Sequence, residues 1–409
     1  MTTDTLALLP DDGEQALLVG RVWEPTLKGP RVVAVRGDDV HDLTERIGTV
    51  SELLERPDHV DILRQADGPP RWRTSDILEA SLDRDWKRPR LLAPIDLQVV
   101  KACGVTFADS LIERVIEERT GGDAERAAQT RALISEALGS SLSAVRPGSE
   151  AALKAKTLLQ EQGLWSQYLE VGIGPDPEVF TKAPVLSSVG LGEGIGIPRA
   201  STWNNPEPEL VLVVDSRGGV VGATLGNDVN LRDVEGRSAL LLGKAKDNNA
   251  SSALGPFIRL FDEGFTLDTL RTEEITLRVT GPDGYRLEGR NSLARISRPF
   301  EELVAATIGD HHQYPDGFAL YTGTLFAPTA DRDEPGRGFT HKTGDVVEIR
   351  STHLGTLINT VAAAEDLPPW TFGIAELLRY LSAIRAPTAS AAVPPATSAA
   401  ERPDAKGER

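Results

Sequence analysis

Residues 203–228 read WNNPEPELVLVVDSRGGVVGATLGND and are the most informative stretch of the chain. Two runs rich in β-branched residues, LVLVV and VVGATLGND, flank the turn-forming sequence Arg217-Gly218-Gly219. Such runs favour strands, and a short Gly-rich connection lets two strands pair as a hairpin. We therefore expect a hairpin with the sequence EPE where its first strand begins and Asp228 where its second strand ends.

The surrounding sequence, residues 179–362, continues the same pattern of short strands. Segments such as ITLRVT, GFALYTGTLFAP and DVVEIRS are separated by Gly, Asn and Asp turns, with brief helices between them. This pattern favours a rolled, mixed β core over a regular alternation of strands and helices. The expected fold class is α+β and mainly β, with a mixed β-roll catalytic domain, a small β-rich N-terminal domain and a helical lid region.

Further from the hairpin, changes in composition divide the chain into three parts. Strand and turn patterns predict the small N-terminal domain over residues 1–95. The catalytic β-roll follows over residues 96–385, and the helical spacing of apolar residues predicts a helical insertion at about 108–165. Residues 386–409 are rich in Pro, Ala, Ser and charged residues, which is typical of a disordered tail.

The bulk composition limits the partners of the protein. The 409 residues carry a formal net charge of −17, which repels nucleic acid and anionic membranes. No apolar run reaches the roughly 20 residues that a membrane-spanning helix needs, and the N-terminal sequence lacks the order of a signal peptide. The single cysteine, Cys103, cannot form an internal disulfide, which suits a reducing compartment. We therefore expect a cytoplasmic protein that acts on a small molecule.

Three acidic residues near the hairpin are candidate metal ligands. Glu207 and Glu209 are two residues apart at the entrance to a strand, so both side chains lie on one face. Pairing of the two strands would bring Asp228 to the same place. Three carboxylates without cysteine suit Mg²⁺, Mn²⁺ or Ca²⁺ better than zinc. The alternative is ordinary exposed acids, since a chain with 61 acidic residues contains an E-x-E sequence by chance.

A lysine beside such a site is a candidate acid or base. The segment Gly243-Lys244-Ala245-Lys246-Asp247 follows the hairpin and offers two lysines. A nearby cation weakens the preference of an amine for its charged form, which suits proton transfer. We favour Lys244 as the catalytic residue, and we leave Lys246 open between a functional residue and a surface lysine.

The order of short motifs between about residues 96 and 362 resembles the fumarylacetoacetate hydrolase superfamily. Each motif is weak by itself, but seven occur in the order that the family has. They are Gly104 to Phe107, the pair Glu207 and Glu209, Asn227 to Asp233, Gly243 to Asp247, Gly255-Pro256, Gly323 to Pro328, and Gly344 to Val361. Within the superfamily, the chain length, the segment GVTFADSLIERVIEERTGGDAER and the run WNNPEPELVL more closely resemble one branch, the sugar-acid dehydratases that act on 2-keto-3-deoxy-pentonates.

The resemblance implies a role for several residues. Glu207, Glu209 and Asp228 would bind Mg²⁺ or Mn²⁺. Lys244 would be the catalytic lysine, with Glu113 available for proton transfer. The residues expected to contact the substrate are Phe107, Ser110, Arg232 and Thr324. The β-roll domain of the family commonly dimerises, which implies a homodimer or a dimer of dimers.

One departure from the family pattern bears on the reaction. Hydrolytic members carry a His and a Glu three residues apart, which activate the water that attacks a carbonyl group. Here the position of that His is Ser110, while Glu113 keeps the position of the Glu. A serine without its own base cannot generate hydroxide. The sequence therefore favours a dehydratase of 2-keto-3-deoxy-D-xylonate or D-arabinonate that gives 2,5-dioxopentanoate.

Three alternatives stay open at this point. A hydrolase of acylpyruvates or fumarylacetoacetate-like diketo acids would need a base recruited from elsewhere, and an oxo-acid decarboxylase would release carbon dioxide. A metal-dependent sugar-acid binding module would bind its ligand without turnover. Retention of the acidic residues together with Lys244 argues for an enzyme.

Overall fold

The computed structural model describes most of the chain. The described residues are 5–66, 68–121, 123, 125–127, 145–161, 163, 165–326, 328, 330–333 and 338–385. The predicted tail, residues 386–409, and part of the predicted helical insertion lie outside them. Within the described ranges the strands form a sheet of eleven strands, a sheet of five strands and a two-stranded ribbon.

The strands of the described residues are numbered in chain order. They are β1 Leu18–Glu24, β2 Gly29–Arg36, β3 Asp39–Asp42, β4 Trp72–Arg73, β5 Arg90–Leu92, β6 Val99–Gly104, β7 Glu178–Ala183, β8 Gly194–Ile197, β9 Asn204–Asn205, β10 Pro208–Val214, β11 Val220–Asp228, β12 Asn230–Leu231, β13 Ser252–Leu260, β14 Glu274–Thr280, β15 Arg286–Ser292, β16 Phe318–Tyr321, β17 Val346–Ser351 and β18 Gly355–Ala363.

The predicted hairpin lies in the middle of the large sheet. β10 and β11 pair antiparallel, with Glu209 opposite Gly226 and Val213 opposite Gly222. The strand order along the sheet is β4-β3-β2-β1-β13-β11-β10-β16-β6-β7, and β5 pairs with β1 as a side branch. β16 runs parallel to β6, whereas β10 is antiparallel to both of its neighbours. The predicted mixed sheet is therefore confirmed.

The side chains of β10 alternate between two hydrophobic cores, which explains its apolar sequence. Leu210 and Leu212 face a core shared with the five-stranded sheet, whose order is β15-β14-β17-β18-β8. Val211 and Val213 face the other core, which includes residues of the N-terminal helices. A strand covered on both faces needs apolar residues at consecutive positions, and burying each such side chain contributes about 1.5–3 kcal/mol.

The helices of the described residues connect these strands. They are Val50–Leu54, His59–Arg64, Thr74–Leu82, Ala108–Thr120, Glu150–Glu161, Gln167–Ile173, Arg232–Glu235, Leu242–Lys246, Leu267–Leu270, Phe300–Thr307 and Ile374–Arg385, with 3₁₀ turns at Thr5–Leu8, Ala239–Leu241 and Leu293–Arg295. None of these described helices has the length and hydrophobicity that crossing a membrane requires.

Two of these helices form a layer at one edge of the large sheet. Ala108–Thr120 follows β6, and Gln167–Ile173 leads into β7. They belong to a third hydrophobic cluster that includes Val115, Ile116 and Leu169. Because β6 and β7 are paired neighbours, the layer is anchored at the β7 edge of the sheet.

The N-terminal residues continue the large sheet. β1 pairs with β13 through Leu18 and Val19, and β2, β3 and β4 extend the sheet outward. Arg259 on β13 also forms an ion pair with Asp12, at 2.6 Å. The domain boundary at residue 95 stays a prediction. The fold class is confirmed as mixed sheets with helices, mainly β, and the described strands form no closed barrel.

Candidate active site

The three predicted metal ligands lie together at one end of the β10–β11 hairpin. Glu207 precedes β10, Glu209 is the second residue of β10, and Asp228 ends β11. The backbone N–H of Asp228 donates to the carbonyl of Glu207 at 3.0 Å and closes this end of the pairing. One carboxylate oxygen from each residue lies within 4.8 Å of the others, and all three side chains are buried. The predicted convergence of these residues, the acidic trio, is confirmed.

Two carboxylates of the acidic trio have one oxygen held by a separate donor. The Nζ atom of Lys182 lies 2.8 Å from Oδ1 of Asp228. The backbone N–H of Gly323 donates to Oε2 of Glu209 at 2.7 Å. Each of these contacts uses only one oxygen of its carboxylate.

The third carboxylate is held by an arginine of the helix Ala108–Thr120. Arg114 donates to Oε1 of Glu207. Its guanidinium group also lies 2.7 Å from Glu117 and 2.9 Å from Glu235. Three carboxylates around one planar guanidinium group hold it in a defined orientation.

Lys246 lies between two carboxylates of the acidic trio. Its Nζ atom donates to Oε2 of Glu207 and, at 3.1 Å, to Oδ2 of Asp228. Burial alone would lower the pKa of Lys246, but the carboxylates of Asp228 and Glu207 outweigh burial and hold the pKa above its usual value. The buried ammonium group thus compensates part of the negative charge of the trio.

Among the described residues Glu209 forms no ion pair, unlike Glu207 and Asp228. Burial, together with the carboxylates of Asp228 and Glu207, raises the pKa of Glu209 well above its usual value. A divalent cation between the three side chains would remove this repulsion. The donor set of three carboxylate groups, without sulfur or imidazole, fits a hard cation such as Mg²⁺ or Mn²⁺.

A narrow pocket, the trio pocket, opens beside these residues. The polar side chains that line it together with the trio are Ser110, Arg114, Glu178, Glu235, Lys246 and Thr324. Cys103 lines it as well and is buried. Burial raises the pKa of the Cys103 thiol, which stays protonated and is therefore not a nucleophile.

Glu178, the first residue of β7, is a pocket carboxyl group that the sequence analysis did not identify. Burial, followed by the charge of Glu235, raises the pKa of Glu178 to about 7. A carboxyl group with this pKa exists in both protonation states near neutral pH and can exchange protons with a substrate. Its Oε2 atom lies against Gly104, where a Cβ atom would collide with it. Position 104 therefore needs glycine if Glu178 is to keep this place.

The structure does not bring Lys244 to the trio pocket, which corrects the choice made from the sequence. Lys244 and Lys246 both belong to the helix Leu242–Lys246, but Lys244 is exposed and lines a separate cavity of about 450 Å³. Two residues along a helix correspond to a rotation of roughly 200°, so the two side chains point in opposite directions. Lys246 occupies the place that the sequence analysis gave to Lys244.

Three other predicted residues are not among the described residues that line the trio pocket. Arg232 is buried, with Nε 2.6 Å from Glu117 and Nη2 3.3 Å from Glu113. Its guanidinium group lies over the ring of Trp203 at 4.1 Å. Phe107 is buried in the main hydrophobic core. The described residues that line the pocket do not include Phe107, Glu113 or Arg232. The structure therefore does not support the direct substrate contact or proton transfer expected of them.

Ser110 and Thr324 line the trio pocket, as predicted. The hydroxyl group of Ser110 donates to the carbonyl of Phe107 at 3.0 Å. The hydroxyl group of Thr324 donates to the carbonyl of Pro208 at 3.1 Å. Because each hydroxyl proton goes to a backbone carbonyl rather than to a base, neither group is an activated nucleophile.

Four charged pocket residues were missed or left open by the sequence analysis. They are Arg114, Glu178, Glu235 and Lys246. Lys246 belongs to the motif Gly243 to Asp247, which indicated it as a candidate. Arg114 could have been found because it follows Ser110 by four residues and so lies on the same helix face. Glu178 and Glu235 belong to no spacing pattern with the acidic trio, so only the fold reveals them.

Most residues of this site lie within a region that matches a known family model. The model of the fumarylacetoacetate (FAA) hydrolase C-terminal domain matches residues 155–362, just over half of the chain. The matched region contains the acidic trio, Lys246, Glu178 and Thr324. Ser110 and Arg114, the pocket residues on the helix Ala108–Thr120, precede it.

Two curated relatives match part of the chain. The 2-dehydro-3-deoxy-D-arabinonate dehydratase of Saccharolobus solfataricus is 36% identical over 185 residues, which are 45% of this chain and 58% of that protein. A probable 2-keto-3-deoxyxylonate dehydratase of Haloferax volcanii is 30% identical over 202 residues, which are 49% of this chain and 66% of that protein. The matches span less than two thirds of the length of either relative.

Solved structures share the fold. The apo form of 2-keto-3-deoxy-D-arabinonate dehydratase has a TM-score of 0.59 at 24% identity, over 85% of this chain and 99% of that chain. The same enzyme complexed with magnesium and 2,5-dioxopentanoate has a TM-score of 0.58 at 24% identity, with the same coverage. At this identity the likeness establishes the fold alone. Together with the match to the family model, it leads to the conclusion that this chain belongs to the fumarylacetoacetate hydrolase family.

Proposed function

We propose that this protein is a Mg²⁺- or Mn²⁺-dependent dehydratase of a 2-keto-3-deoxy sugar acid. The observation that carries the proposal is a single pocket lined by the acidic trio, Lys246 and Glu178. The names of both curated relatives, dehydratases of 2-dehydro-3-deoxy-D-arabinonate and of 2-keto-3-deoxyxylonate, support this class of substrate. The product would be 2,5-dioxopentanoate, the ligand in the related complex.

The acidic trio would hold the cation. Three buried carboxylate groups from Glu207, Glu209 and Asp228 are ligands that Mg²⁺ and Mn²⁺ prefer, and the related structure with magnesium supports this choice. When bound, the cation would act as a Lewis acid on the 2-oxo group of the substrate and make the hydrogens at C3 more acidic.

Two pocket groups are suited to the proton transfers. Glu178, with its pKa raised by burial to about 7, can take a proton from C3 near neutral pH. Lys246 is held in its charged form by the carboxylates around it, so its ammonium group can donate a proton to the hydroxyl group at C4. These assignments give Glu178 and Lys246 the roles that the sequence analysis gave to Glu113 and Lys244.

The proposed reaction balances without a redox partner. Loss of a proton from C3 and of the C4 hydroxyl group, which leaves as water, forms a double bond between C3 and C4. A proton then moves from C5 to C3, and the C5 hydroxyl group gives its proton to C4. C5 becomes an aldehyde, and the sum is one molecule of 2,5-dioxopentanoate and one of water.

The helix beside the pocket favours dehydration over hydrolysis. A hydrolase needs a base for the attacking water, and the position of that base is occupied by Ser110, whose proton goes to a backbone carbonyl. The same helix face carries Arg114, which lines the pocket. A guanidinium group there can orient the carboxylate or hydroxyl groups of a sugar acid but cannot act as a base near neutral pH.

The direct test is a substrate panel with product analysis by mass spectrometry. Purified protein with Mg²⁺ is incubated with 2-keto-3-deoxy-D-xylonate, 2-keto-3-deoxy-D-arabinonate and an acylpyruvate, each with and without EDTA. We expect a single product lighter by one water from a 2-keto-3-deoxy pentonate, and no product with EDTA. Two fragments from the acylpyruvate would support a hydrolase instead, and loss of carbon dioxide would support a decarboxylase.

We also propose that the protein works in the cytoplasm as a homodimer or a dimer of dimers. The single cysteine, Cys103, and the common dimerisation of the family support this assembly and location. Size-exclusion chromatography with light scattering measures the assembly. A monomer at micromolar concentration would contradict the proposed dimer.

A further inference from the structure

Lys182 is a fully buried lysine that lies next to the acidic trio but outside the pocket. Its side chain is 0% exposed, and it does not belong to the described residues that line the trio pocket. Burying an ammonium group is costly unless it is paired and hydrogen-bonded, so a lysine in this position has specific partners. Its surroundings identify them.

The ammonium group of Lys182 is surrounded by oxygen atoms. Nζ donates to the carbonyl of Val229 at 3.0 Å and to the carbonyl of Lys246. It lies 2.8 Å from Oδ1 of Asp228, and the hydroxyl group of Ser251 is a more distant partner at 3.4 Å. One side chain from β7 therefore ties together the end of β11 and the end of the helix Leu242–Lys246.

Lys182 and Lys246 divide the two oxygens of Asp228 between them. Lys182 takes Oδ1, and Lys246 takes Oδ2 at 3.1 Å. Only Lys246 lines the trio pocket. The pocket residue Lys246 thus contacts Oδ2 of Asp228, whereas Lys182, outside the pocket, forms its ion pair with Oδ1.

The geometry points to Lys182 as a positioning residue. It holds the carboxylate of Asp228 by Oδ1, keeps Oδ2 directed towards the pocket and so preforms the cation site. This inference rests on the proposed function only in that the acidic trio holds a divalent cation. Groups that hydrogen-bond to metal ligands orient them and tune their affinity, and their loss typically weakens metal binding by about 10- to 100-fold. Lys182 acts through Asp228 and does not touch the substrate.

A contrast with Arg114 sharpens the expected effect. Arg114 also holds a carboxylate of the trio, Glu207, but it lines the pocket and can reach the substrate. Loss of Arg114 is expected to change both metal affinity and the KM for the sugar acid. Loss of Lys182 is expected to change metal affinity, with little change in KM once the metal is saturating.

The test is a titration of the metal-free protein with Mn²⁺, followed by EPR of the free ion, without any sugar acid present. The variants are Lys182→Met, which keeps the length of the side chain without its charge, and Lys182→Arg, which keeps the charge. The matched control is Lys101→Met. Lys101 lies on β6 opposite Thr181, the residue before Lys182, and its Nζ donates to Thr181 Oγ1 at 2.9 Å rather than to a carboxylate of the trio. Thermal melting of each metal-free variant reports its folding.

We expect Lys182→Met to weaken Mn²⁺ binding by about 10- to 100-fold, Lys182→Arg to recover part of this loss, and Lys101→Met to match the wild type. At saturating Mg²⁺ the KM of Lys182→Met for the sugar acid should stay within about twofold of the wild type. If Lys182→Met does not fold, Lys182→Gln provides the same comparison with a neutral group that can still donate a hydrogen bond.

A folded Lys182→Met or Lys182→Gln variant that binds Mn²⁺ as tightly as the wild type would overturn the inference. So would an equal loss in the Lys101→Met control. The proposed function fails separately: wild-type protein that binds Mn²⁺ but dehydrates no sugar acid would remove that function and leave the role of Lys182 in place.

Discussion

The trio pocket and the cavity around Lys244 lie on opposite sides of one short helix and differ in how their charges are compensated. In the trio pocket, Lys246 is buried and bonded to two carboxylates. In the cavity of about 450 Å³, Lys244 is exposed, and among the described residues neither Lys244 nor Arg237 forms an ion pair. Buried, mutually paired charges distinguish a site built for chemistry from a solvated surface.

The strongest test of this contrast replaces each of the two lysines in turn with methionine. Lys246→Met should lower kcat by about 10³-fold, because it removes the proton donor and a buried counter-charge of the trio. Lys244→Met should change kcat by less than about twofold, since surface substitutions rarely perturb a distant site. Steady-state kinetics at saturating Mg²⁺ measures both, with thermal melting as the control for folding.

The two variants together decide between the sequence-based choice and the structural one. Loss of activity in Lys244→Met with retention in Lys246→Met would return the catalytic role to Lys244 and contradict the assignment made from the pocket.

A second test concerns Glu178 as the base of the trio pocket. Glu178→Gln should lower kcat by about 10²- to 10³-fold. Because the pKa of Glu178 is raised to about 7 and the base must be ionised, wild-type kcat/KM should fall as the pH is lowered through about 7. The matched control is Glu193→Gln, since burial also raises the pKa of Glu193 but it does not belong to the described residues that line the pocket.

The pH profile supplies the outcome that would oppose this role. A wild-type profile that is flat between pH 6 and 8, or equal losses in Glu178→Gln and Glu193→Gln, would mean that Glu178 is not the base.

The same pKa predicts how the stability of the metal-free protein depends on pH. The folded pKa of Glu178, about 7, lies above the ordinary value of 4.5, so between these values the folded state binds more protons than the unfolded state. The contribution of Glu178 to stability is present below pH 4.5 and is lost as the pH rises towards 7. Denaturant unfolding of wild type and Glu178→Gln should differ by up to roughly 3 kcal/mol across this window. Parallel curves for the two proteins would contradict the raised pKa.

A smaller effect is expected for Glu113, which is not among the described residues that line the pocket. Glu113 pairs with the buried guanidinium group of Arg232 at 3.3 Å. Glu113→Gln should lower the free energy of unfolding by about 1–3 kcal/mol and change kcat by less than about threefold. Denaturant unfolding and steady-state kinetics measure the two quantities. A large loss of kcat without loss of stability would instead restore Glu113 as a catalytic residue.

The hairpin and the acidic trio could be predicted from the sequence because both follow local rules. Apolar runs around Arg217-Gly218-Gly219 predict the pairing, and the pairing brings Glu207, Glu209 and Asp228 to one end of two strands. The ordered motifs predicted the family, and the match to the family model confirms this prediction. The metal-binding role of the trio stays a proposal.

The remainder of the site depends on rotations and long-range contacts that sequence spacing does not encode. Lys244 and Lys246 differ only in their direction around a helix of five residues, Leu242–Lys246. Helix phase likewise decides that Arg114 faces the pocket while Glu113 faces Arg232. Glu178 reaches the pocket because β7 lies at the edge of the large sheet, and no local sequence pattern predicts that position.

The anomalous scattering of Mn²⁺ in crystals of the protein would locate the metal centre most directly. We expect one strong peak between the side chains of Glu207, Glu209 and Asp228, with Lys246 no longer bonded to both Glu207 and Asp228. A Mn²⁺ peak in the cavity around Lys244, or an empty trio pocket at saturating Mn²⁺, would contradict the claim that the buried carboxylates form the metal centre.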